Sequence, residues 1–210
     1  MSAEVVQSRP RRDDGRPWYH GAQTILEDGA MARFVYSVTM SVDGFIAGAD
    51  GDMAWMVPYL GPDPTVDAFI AEVGAVLVGG GTLRGRDPYE GSDGEGEVFG
   101  GGWEGPQIAV TSHPPAEPTP DLTCTPDLDE GIRLAAEAAG DRVVNVLGAT
   151  LAKGLLERGV LDEVLVSLAP VLLGDGTRLF AHPGGTTVRL EPISVAHIPL
   201  ATSLRYRVLR

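Results

Sequence analysis

The chain is short of the residues that build several kinds of chemical site. Cys124 is the only cysteine among its 210 residues, so the chain can form neither an internal disulfide bond nor a cluster of thiolate metal ligands. A lone cysteine fits a reducing compartment, and we expect a cytoplasmic protein. The four histidines show neither a His-x-x-x-His nor a Glu-x-x-His spacing, which argues against a catalytic zinc ion.

Basic residues and long apolar runs are also scarce. Sixteen Lys and Arg residues stand against 29 Asp and Glu residues, which gives a net charge of −13. A nucleic-acid footprint needs a clustered basic surface, and no apolar run approaches the ~18 residues of a membrane span. We therefore expect neither a nucleic-acid partner nor a membrane segment. A phosphorylated cofactor is not excluded, because helix N-termini and a few arginines bind phosphate locally.

The composition predicts one folded unit with an extension. Apolar residues make up 43% of the chain and charged residues 21%, which is ordinary for a globular protein. Residues 1–30 are polar, charged and rich in turn formers, and this composition favours disorder. We predict a disordered N-terminal extension over residues 1–30 and one domain over residues 31–210.

Strand and helix patterns alternate along that domain. We predict strands at 34–40, 75–78, 107–111, 121–124, 142–147 and 162–169, helices at 65–73, 126–139 and 148–158, and a C-terminal hairpin from 187–195 and 203–209. This order predicts an α/β fold with a mixed, mostly parallel sheet flanked by helices. The apolar alternation of the antiparallel hairpin predicts a homodimer.

Three segments lie where such a sheet binds ligands, at the carboxyl ends of strands. The first is the loop 41–48 with its Asp43-Gly44 pair, which alone is as typical of a surface turn. The other two are Gly79-Gly80-Gly81-Thr82 and Gly148-Ala149-Thr150. Glycine permits close backbone approach, and threonine adds a hydroxyl beside free helix N–H groups.

Neither glycine junction has the G-x-G-x-x-G spacing or the Walker lysine, so each alone predicts a plain strand–helix turn. Together with the Asp-Gly loop, they favour a dinucleotide that lies across the strand ends. Residues 88–105, rich in Gly, Asp and Glu, predict a mobile loop and a candidate lid.

Four motifs resemble the reductase domain of riboflavin biosynthesis, within the dihydrofolate reductase-like superfamily. Residues 41–47 (SVDGFIA) resemble that family's S-L-D-G-x-I-A opening, and the two glycine junctions occupy the places of its Gly-Arg-x-Thr and Gly-Gly-x-x-Leu turns. Residues 159–180 are similar to its G-L-V-D-E-L…P-V-L-L-G-x-G…L-F run. The resemblance spans residues 33–209.

The resemblance implies NADPH across the strand ends, with the nicotinamide beside the loop after the first strand. Residue by residue, it places the following beside the cofactor: Ala47, Gly79, Gly80, Gly81, Thr82, Thr111, Ser112, Gly148, Ala149 and Thr150. Asp43 would face a ribose-like part of the substrate and assist proton delivery. Trp55 would wall the substrate pocket, and Gly174 would lie in the substrate-binding loop.

Three departures from the family pattern bear on cofactor and substrate. The arginine that holds the 2′-phosphate of NADPH is Gly80 here, and Arg84 or Arg86 is a candidate replacement because arginine suits phosphate geometry. The usual Gly-Gly pair is Leu147-Gly148. The Trp55-x-x-Pro58 segment resembles the folate reductases, but Leu60 stands in place of their pterin-binding carboxylate and Asp63 is off register, which argues against folate.

The leading hypothesis is an NADPH-dependent reductase that transfers hydride to a C=N or C=O bond of a small, ribosylaminopyrimidine-like heterocycle. Two alternatives stay open: a reductase that uses another reduced cofactor, such as a deazaflavin, and a ligand-binding protein without turnover. The chain lacks the H-x-E…P-C-x-x-C zinc signature of a deaminase. It therefore does not contain the deaminase half of the bifunctional enzymes.

Overall fold

Ten strands and four α-helices make up the part of the protein that the structure describes. This structure is a computed structural model, and it describes residues 32–117, 120–185 and 187–210. The predicted extension over residues 1–30 lies outside the described residues. The strands are β1 (Arg33–Ser41), β2 (Phe45–Ala47), β3 (Val73–Gly79), β4 (Gln107–Val110), β5 (Leu122–Thr125), β6 (Val143–Leu147), β7 (Leu161–Ala169), β8 (Thr177–Arg178), β9 (Arg189–His197) and β10 (Thr202–Leu209). The helices are α1 (Pro64–Glu72), α2 (Gly80–Leu83), α3 (Leu128–Ala139) and α4 (Ala149–Glu157).

Eight of these strands form one mixed sheet in the order β5-β4-β3-β6-β1-β7-β10-β9. The six strands from β5 to β7 in this order run parallel, and β10 pairs antiparallel with both β7 and β9. The predicted mixed, mostly parallel sheet with a C-terminal antiparallel hairpin is confirmed. A separate two-stranded sheet joins β2 to β8. The sequence analysis missed this pair, because strands of two or three residues are too short to show an alternation.

The central strands read as continuous apolar runs because both of their faces are buried. On one face, Phe34 and Val146 belong to a cluster with Leu155 of α4 and with the buried face of α3, which consists mainly of alanine. On the other face, Val35 and Val76 pack against Phe69 of α1. Fully burying a side chain of this size stabilises the fold by about 1.5–3 kcal/mol, so the two clusters hold the helices on opposite sides of the sheet.

A charged cluster ties α1 to three strands at the amino end of β1. The nearly buried Glu163 of β7 accepts hydrogen bonds from Arg205 of β10 at 2.6 Å and from Arg33 of β1 at 3.3 Å. Both arginines also bond Glu72 at the end of α1. A carboxylate this deeply buried requires such pairing, which gives the four elements a fixed arrangement.

Asp63 begins α1 and attaches it to the C-terminal hairpin. Its Oδ1 accepts from the backbone N–H of Thr65 at 2.9 Å and of Val66 at 3.3 Å, which is N-cap geometry. Its Oδ2 accepts from the Ser203 hydroxyl of β10 at 2.8 Å. Pro64 in the first turn suits this start, because the N–H it lacks has no partner there.

No helix of the described residues is both long and apolar enough to cross a membrane. Within those residues there is also no group of three His, Cys, Asp or Glu side chains that could hold a metal ion.

We predict that Asp63→Ala lowers the free energy of unfolding by about 1–3 kcal/mol, because it removes the cap and leaves buried donors without partners. Urea denaturation measures this change. Asp67→Ala is the matched control, because Asp67 is an exposed carboxylate in the first turn of the same helix. Equal losses in the two variants would contradict the cap and the link to Ser203.

Candidate active site

The two glycine junctions meet at the carboxyl edge of the sheet. The first joins β3 to α2 and the second joins β6 to α4, and these two strands are hydrogen-bonded neighbours. Gly148 has a φ of +113°, and a side chain there would lie 2.9 Å from the Thr82 hydroxyl oxygen. Glycine is therefore needed at this position, both for its backbone conformation and for the close approach to Thr82. The structure thus places Thr82 against Gly148, as a dinucleotide site at this edge requires.

Arg84 occupies the space beside Gly80. A Cβ on Gly80 would lie 2.7 Å from Thr111 Oγ1 and 3.0 Å from Arg84 Nη1, so a longer side chain does not fit there without displacing both residues. Arg84 Nη1 itself donates to Thr111 Oγ1 at 3.3 Å. Arg86, the other candidate replacement, points elsewhere and donates to Glu90 at 2.6 Å. Of the two arginines, only Arg84 lies at the edge where the resemblance places the adenosine.

Thr111 and Ser112 follow β4 directly at the same edge. Thr111 is buried, and its hydroxyl oxygen accepts from the backbone N–H of His113 at 3.1 Å. Ser112 is exposed, and its hydroxyl lies 2.9 Å from His113 Nδ1. Of the two residues, Thr111 lies beside Gly80. Their contact with a cofactor stays a prediction.

The Asp43 carboxylate holds two loops together. Its Oδ1 accepts from the Ser41 hydroxyl at 2.6 Å and from the backbone N–H of Leu173 at 3.0 Å, and its Oδ2 accepts from the N–H of Gly174 at 2.7 Å. The hydrogen bond from Ser41, followed by those from the backbone, lowers the pKa of Asp43 to about 2. A carboxyl with this pKa is ionised at neutral pH, and the expectation that Asp43 assists proton delivery stays a prediction. Its predicted contact with substrate stays a prediction.

Ala47 and Gly174 lie in these same two loops. Ala47 belongs to β2, which pairs with β8, and a side chain on Gly176 would clash with the Ala47 carbonyl oxygen. Gly174 itself has a φ of +80°, a conformation that favours glycine. The guanidinium of Arg178 lies 4.5 Å from the centre of the Phe45 ring, which adds a cation–π contact to the pairing. The tight loop pairing therefore depends on glycine at positions 174 and 176.

A cavity of about 570 Å³ lies between the sheet and α1. This is the usual size of a small-molecule site. Its floor comes from β1, β3, β6 and β7, and its roof from α1, the segment 53–63 and the loop 85–99. Thr82 and Gly148 line it, so the meeting point of the two glycine junctions opens into this cavity. Ile46 of the loop after β1 reaches it as well.

The cavity wall that we predicted for Trp55 is instead made by its neighbours. Residues 54–59 form a 3-10 helix, in which residues three apart share a face. Met53, Met56 and Tyr59 have that spacing, and all three line the cavity. Trp55 does not line it and turns towards Tyr59, with ring centres 6.5 Å apart. The segment therefore lines the cavity through these three residues, and a contact of Trp55 with the substrate stays a prediction.

The position at which folate reductases carry their pterin-binding carboxylate has no acid in this cavity. Leu60 lines the cavity where the resemblance to folate reductases would need an acid. Asp63 reaches the lining, but it is buried and both of its oxygens accept the hydrogen bonds of the α1 cap and of Ser203. This supports the expectation that folate is not the main substrate.

The loop predicted as a lid contributes to the roof. Tyr89, Val98 and Phe99 line the cavity, and Phe99 and Trp103 pack against the apolar cluster under α1. The Trp103 indole N–H donates to the Val73 carbonyl at 3.2 Å. The loop thus covers the cavity as a lid would, and its predicted mobility stays a prediction.

Two polar residues near the cavity floor escaped the sequence analysis. Ser37 of β1 lines the cavity, and its hydroxyl donates to Oδ1 of Asn145 of β6 at 2.6 Å. A signal existed for Asn145 alone, because it interrupts β6, whose other four residues are apolar, whereas β1 contains further polar residues.

We predict that the Asp43 carboxyl titrates near pH 2 in the folded protein, which a carboxyl-carbon NMR titration measures directly. Because its folded pKa lies below the ordinary value of about 4, Asp43 contributes stability above pH 4 that is lost as the pH falls towards 2. The stability difference between wild type and Asp43→Asn should therefore shrink over that range in denaturation experiments. A titration midpoint at or above 4 would contradict the stabilisation of the Asp43 carboxylate by these hydrogen bonds.

Comparisons with known proteins identify the family of the chain. A family model described as the RibD C-terminal domain matches residues 33–202. The riboflavin biosynthesis protein RibD of Corynebacterium ammoniagenes is 28% identical over 165 residues, which cover 71% of this chain and 46% of that protein. The chain therefore spans about half the length of this curated relative.

Solved structures share the fold at low identity. A diaminohydroxyphosphoribosylaminopyrimidine deaminase/5-amino-6-(5-phosphoribosylamino)uracil reductase from Thermotoga maritima has a TM-score of 0.59 and 20% identity, with 85% of this chain and 57% of that chain covered. A riboflavin biosynthesis reductase from Saccharomyces cerevisiae has a TM-score of 0.55 and 16% identity, with 88% and 92% covered. The match of the family model over residues 33–202 is decisive, and the chain belongs to the RibD C-terminal domain family.

Proposed function

We propose that this chain is a cytoplasmic, NADPH-dependent reductase that acts on a small heterocycle of the ribosylaminopyrimidine kind. The observation that carries the proposal is the contact between Thr82 and Gly148, which joins two phosphate-type junctions at the mouth of a ligand-sized cavity. Membership of the RibD C-terminal domain family supports the reductase activity. NADPH supplies the hydride when it is bound.

The residues present suit a dinucleotide across the strand ends. The residues that would hold it are Gly79, Gly80, Gly81, Thr82, Thr111, Ser112, Gly148, Ala149 and Thr150. Thr82 and Gly148 would bind the pyrophosphate through a hydroxyl and an uncovered backbone, a common arrangement for phosphate groups. Ala47 lies in the loop beside the cavity, where the nicotinamide would border the substrate.

The cavity would orient the substrate and exclude water. Holding donor and acceptor atoms in a reactive geometry supplies a large part of the rate enhancement in such reactions. The apolar roof, formed by Met53, Met56 and Phe99 among others, suits the face of a flat heterocycle. The uracil reductase activity in the name of the Thermotoga maritima relative supports a pyrimidine as the substrate. Asp43 and Gly174 would contribute by setting the position of the loop that borders the site.

Arg84 would supply the preference for the 2′-phosphate of NADPH. The chain carries a net charge of −13, which as a whole repels an anion. An exposed arginine at this edge attracts an anion locally. Arg84 already lies within hydrogen-bond distance of Thr111 and beside Gly80. These contacts support the proposal that Arg84 replaces the family's arginine at position 80.

We predict that Arg84→Ala weakens NADPH binding roughly 10- to 100-fold, the range expected for loss of hydrogen bonds to a charged group. NADH binding should change little, because NADH has no 2′-phosphate. Isothermal titration calorimetry with both nucleotides measures the two affinities. Arg86→Ala is the matched control, since Arg86 bonds Glu90 and points away from this edge. Equal weakening of both nucleotides by Arg84→Ala would contradict the role of Arg84.

The same titration of the wild-type protein tests the proposal itself. Binding of neither NADPH nor NADH at millimolar concentration would refute it. Binding of a reduced deazaflavin in their place would favour the alternative cofactor. Tight NADPH binding without turnover of any pyrimidine would favour the non-catalytic alternative.

We also propose that a second copy of the chain covers β9. This strand forms the outer edge of the sheet, and eight of its nine residues are exposed. Leu190, Ile193 and Val195 are apolar and exposed on it. A long edge strand with apolar side chains favours association with another chain.

We predict that the wild-type protein is a dimer in solution and that Ile193→Lys shifts it to a monomer, because the lysine places a charge in the apolar contact. Light scattering coupled to size-exclusion chromatography measures the mass. Val57→Lys is the control, because Val57 is also an exposed apolar residue but lies outside the hairpin. A monomeric wild type would contradict this proposal.

A further inference from the structure

A polar pair interrupts the apolar floor of the cavity. Ser37 lines the cavity and is 9% exposed, whereas Asn145 is fully buried. The strand register places Asn145 between Val35 of β1 and Val76 of β3. Both valines are fully buried, so Asn145 has an aliphatic neighbour on each adjacent strand. In such surroundings a hydrogen bond is electrostatically stronger than in water, and an unpaired polar atom is more costly.

The hydrogen bonds of Asn145 are incomplete. Its Oδ1 accepts from the Ser37 hydroxyl at 2.6 Å, but its Nδ2 is buried without a hydrogen-bond partner among the described residues. An unsatisfied buried donor lowers stability. A valine would continue the pattern of the strand and remove that cost. Packing therefore does not account for Asn145, and the side chain requires another explanation.

The hydrogen bond to Asn145 determines the hydrogen-bonding capacity that Ser37 presents to the cavity. A serine hydroxyl has one proton and two acceptor lone pairs. The proton of Ser37 is committed to Asn145, so only acceptor capacity remains on the side that lines the cavity. Because Asn145 fixes the rotation of the hydroxyl, a ligand does not have to order it on binding.

We propose that Ser37, positioned by Asn145, is a specificity-determining residue that accepts a hydrogen bond from an N–H or amino group of a heterocycle in this cavity. The inference rests on the proposed function in one respect, since it takes the cavity as the substrate site. It adds to that site a defined hydrogen-bond acceptor. A ligand with a hydrogen-bond donor at this point binds in preference to a ligand of the same shape that carries a methyl group there.

The test compares 5-aminouracil with 5-methyluracil, which differ only in an amino or methyl group at one position. Calorimetric titration of the wild-type protein should show tighter binding of 5-aminouracil by about two- to tenfold, the value of one neutral hydrogen bond. Ser37→Ala should bind both probes alike. A wild-type protein that binds neither probe, or both equally, overturns the proposal, as does a preference that survives in Ser37→Ala.

Ser167→Ala is the matched control. Ser167 lines the same cavity from the neighbouring strand β7, so the same substitution is made at a second position of the cavity floor. The preference for the amino probe should persist in this variant. Its loss in both serine variants would assign the effect to the polarity of the floor in general and overturn the specific role of Ser37.

Asn145→Val separates positioning from packing. We expect a higher melting temperature, because the unpaired amide is removed, together with loss of the preference for the amino probe, because the Ser37 hydroxyl becomes free to rotate. A purely structural Asn145 would show the opposite on both measurements, with a lower melting temperature and an intact preference. Circular dichroism of each variant checks that the fold is retained.

A separate NADPH titration distinguishes this inference from the proposed function. Absence of NADPH binding by the wild-type protein refutes the proposed function, and the comparison of the two probes can still be made. NADPH binding together with an unchanged probe preference in Ser37→Ala refutes only the role of Ser37.

Discussion

The hydrogen bonds between Asp43 and the backbone of Leu173 and Gly174 are the constraint on which the site depends. They join the loop that leaves β1 to the loop that leaves β7, two strands that are neighbours in the sheet. The β2–β8 pairing follows from this join, and it directs Ile46 towards the cavity. Because the carboxylate is ionised and accepts three hydrogen bonds, it acts as an electrostatic clamp between the two loops.

Much of the fold could be predicted from the sequence, and the reason is the burial of its central strands. β3 and β6 are buried on both faces and therefore read as continuous apolar runs. The glycine junctions could also be located, because each follows such a run directly. β2 and β8 could not be predicted, since they pair through a contact between residues about 130 positions apart and have too few residues to show a pattern.

The contacts of individual side chains in the site could not be predicted, because they depend on local geometry that is not apparent from the sequence. Trp55 was predicted for the cavity wall, but the 3-10 helix turns Met53 and Met56 there. Asp43 was predicted to face the substrate, and the hydrogen bonds it accepts from the backbone of a distant loop could not be foreseen from the sequence. Arg84 was one of two candidates, and its hydrogen bond to Thr111 beside Gly80 distinguishes it from Arg86, which bonds Glu90. In each case the deciding factor is which way a side chain turns.

The hydrogen bond between Asp63 and Ser203 couples the C-terminal hairpin to the helix that covers the cavity. Asp63 starts the helix that roofs the cavity, and Ser203 belongs to β10, which is paired with the outermost strand β9. A displacement of the hairpin would therefore be transmitted to the cavity roof through this buried contact and through the pairing of Arg205 with Glu72. If a second chain binds to β9, this contact provides a mechanical route by which assembly and the shape of the binding site influence each other.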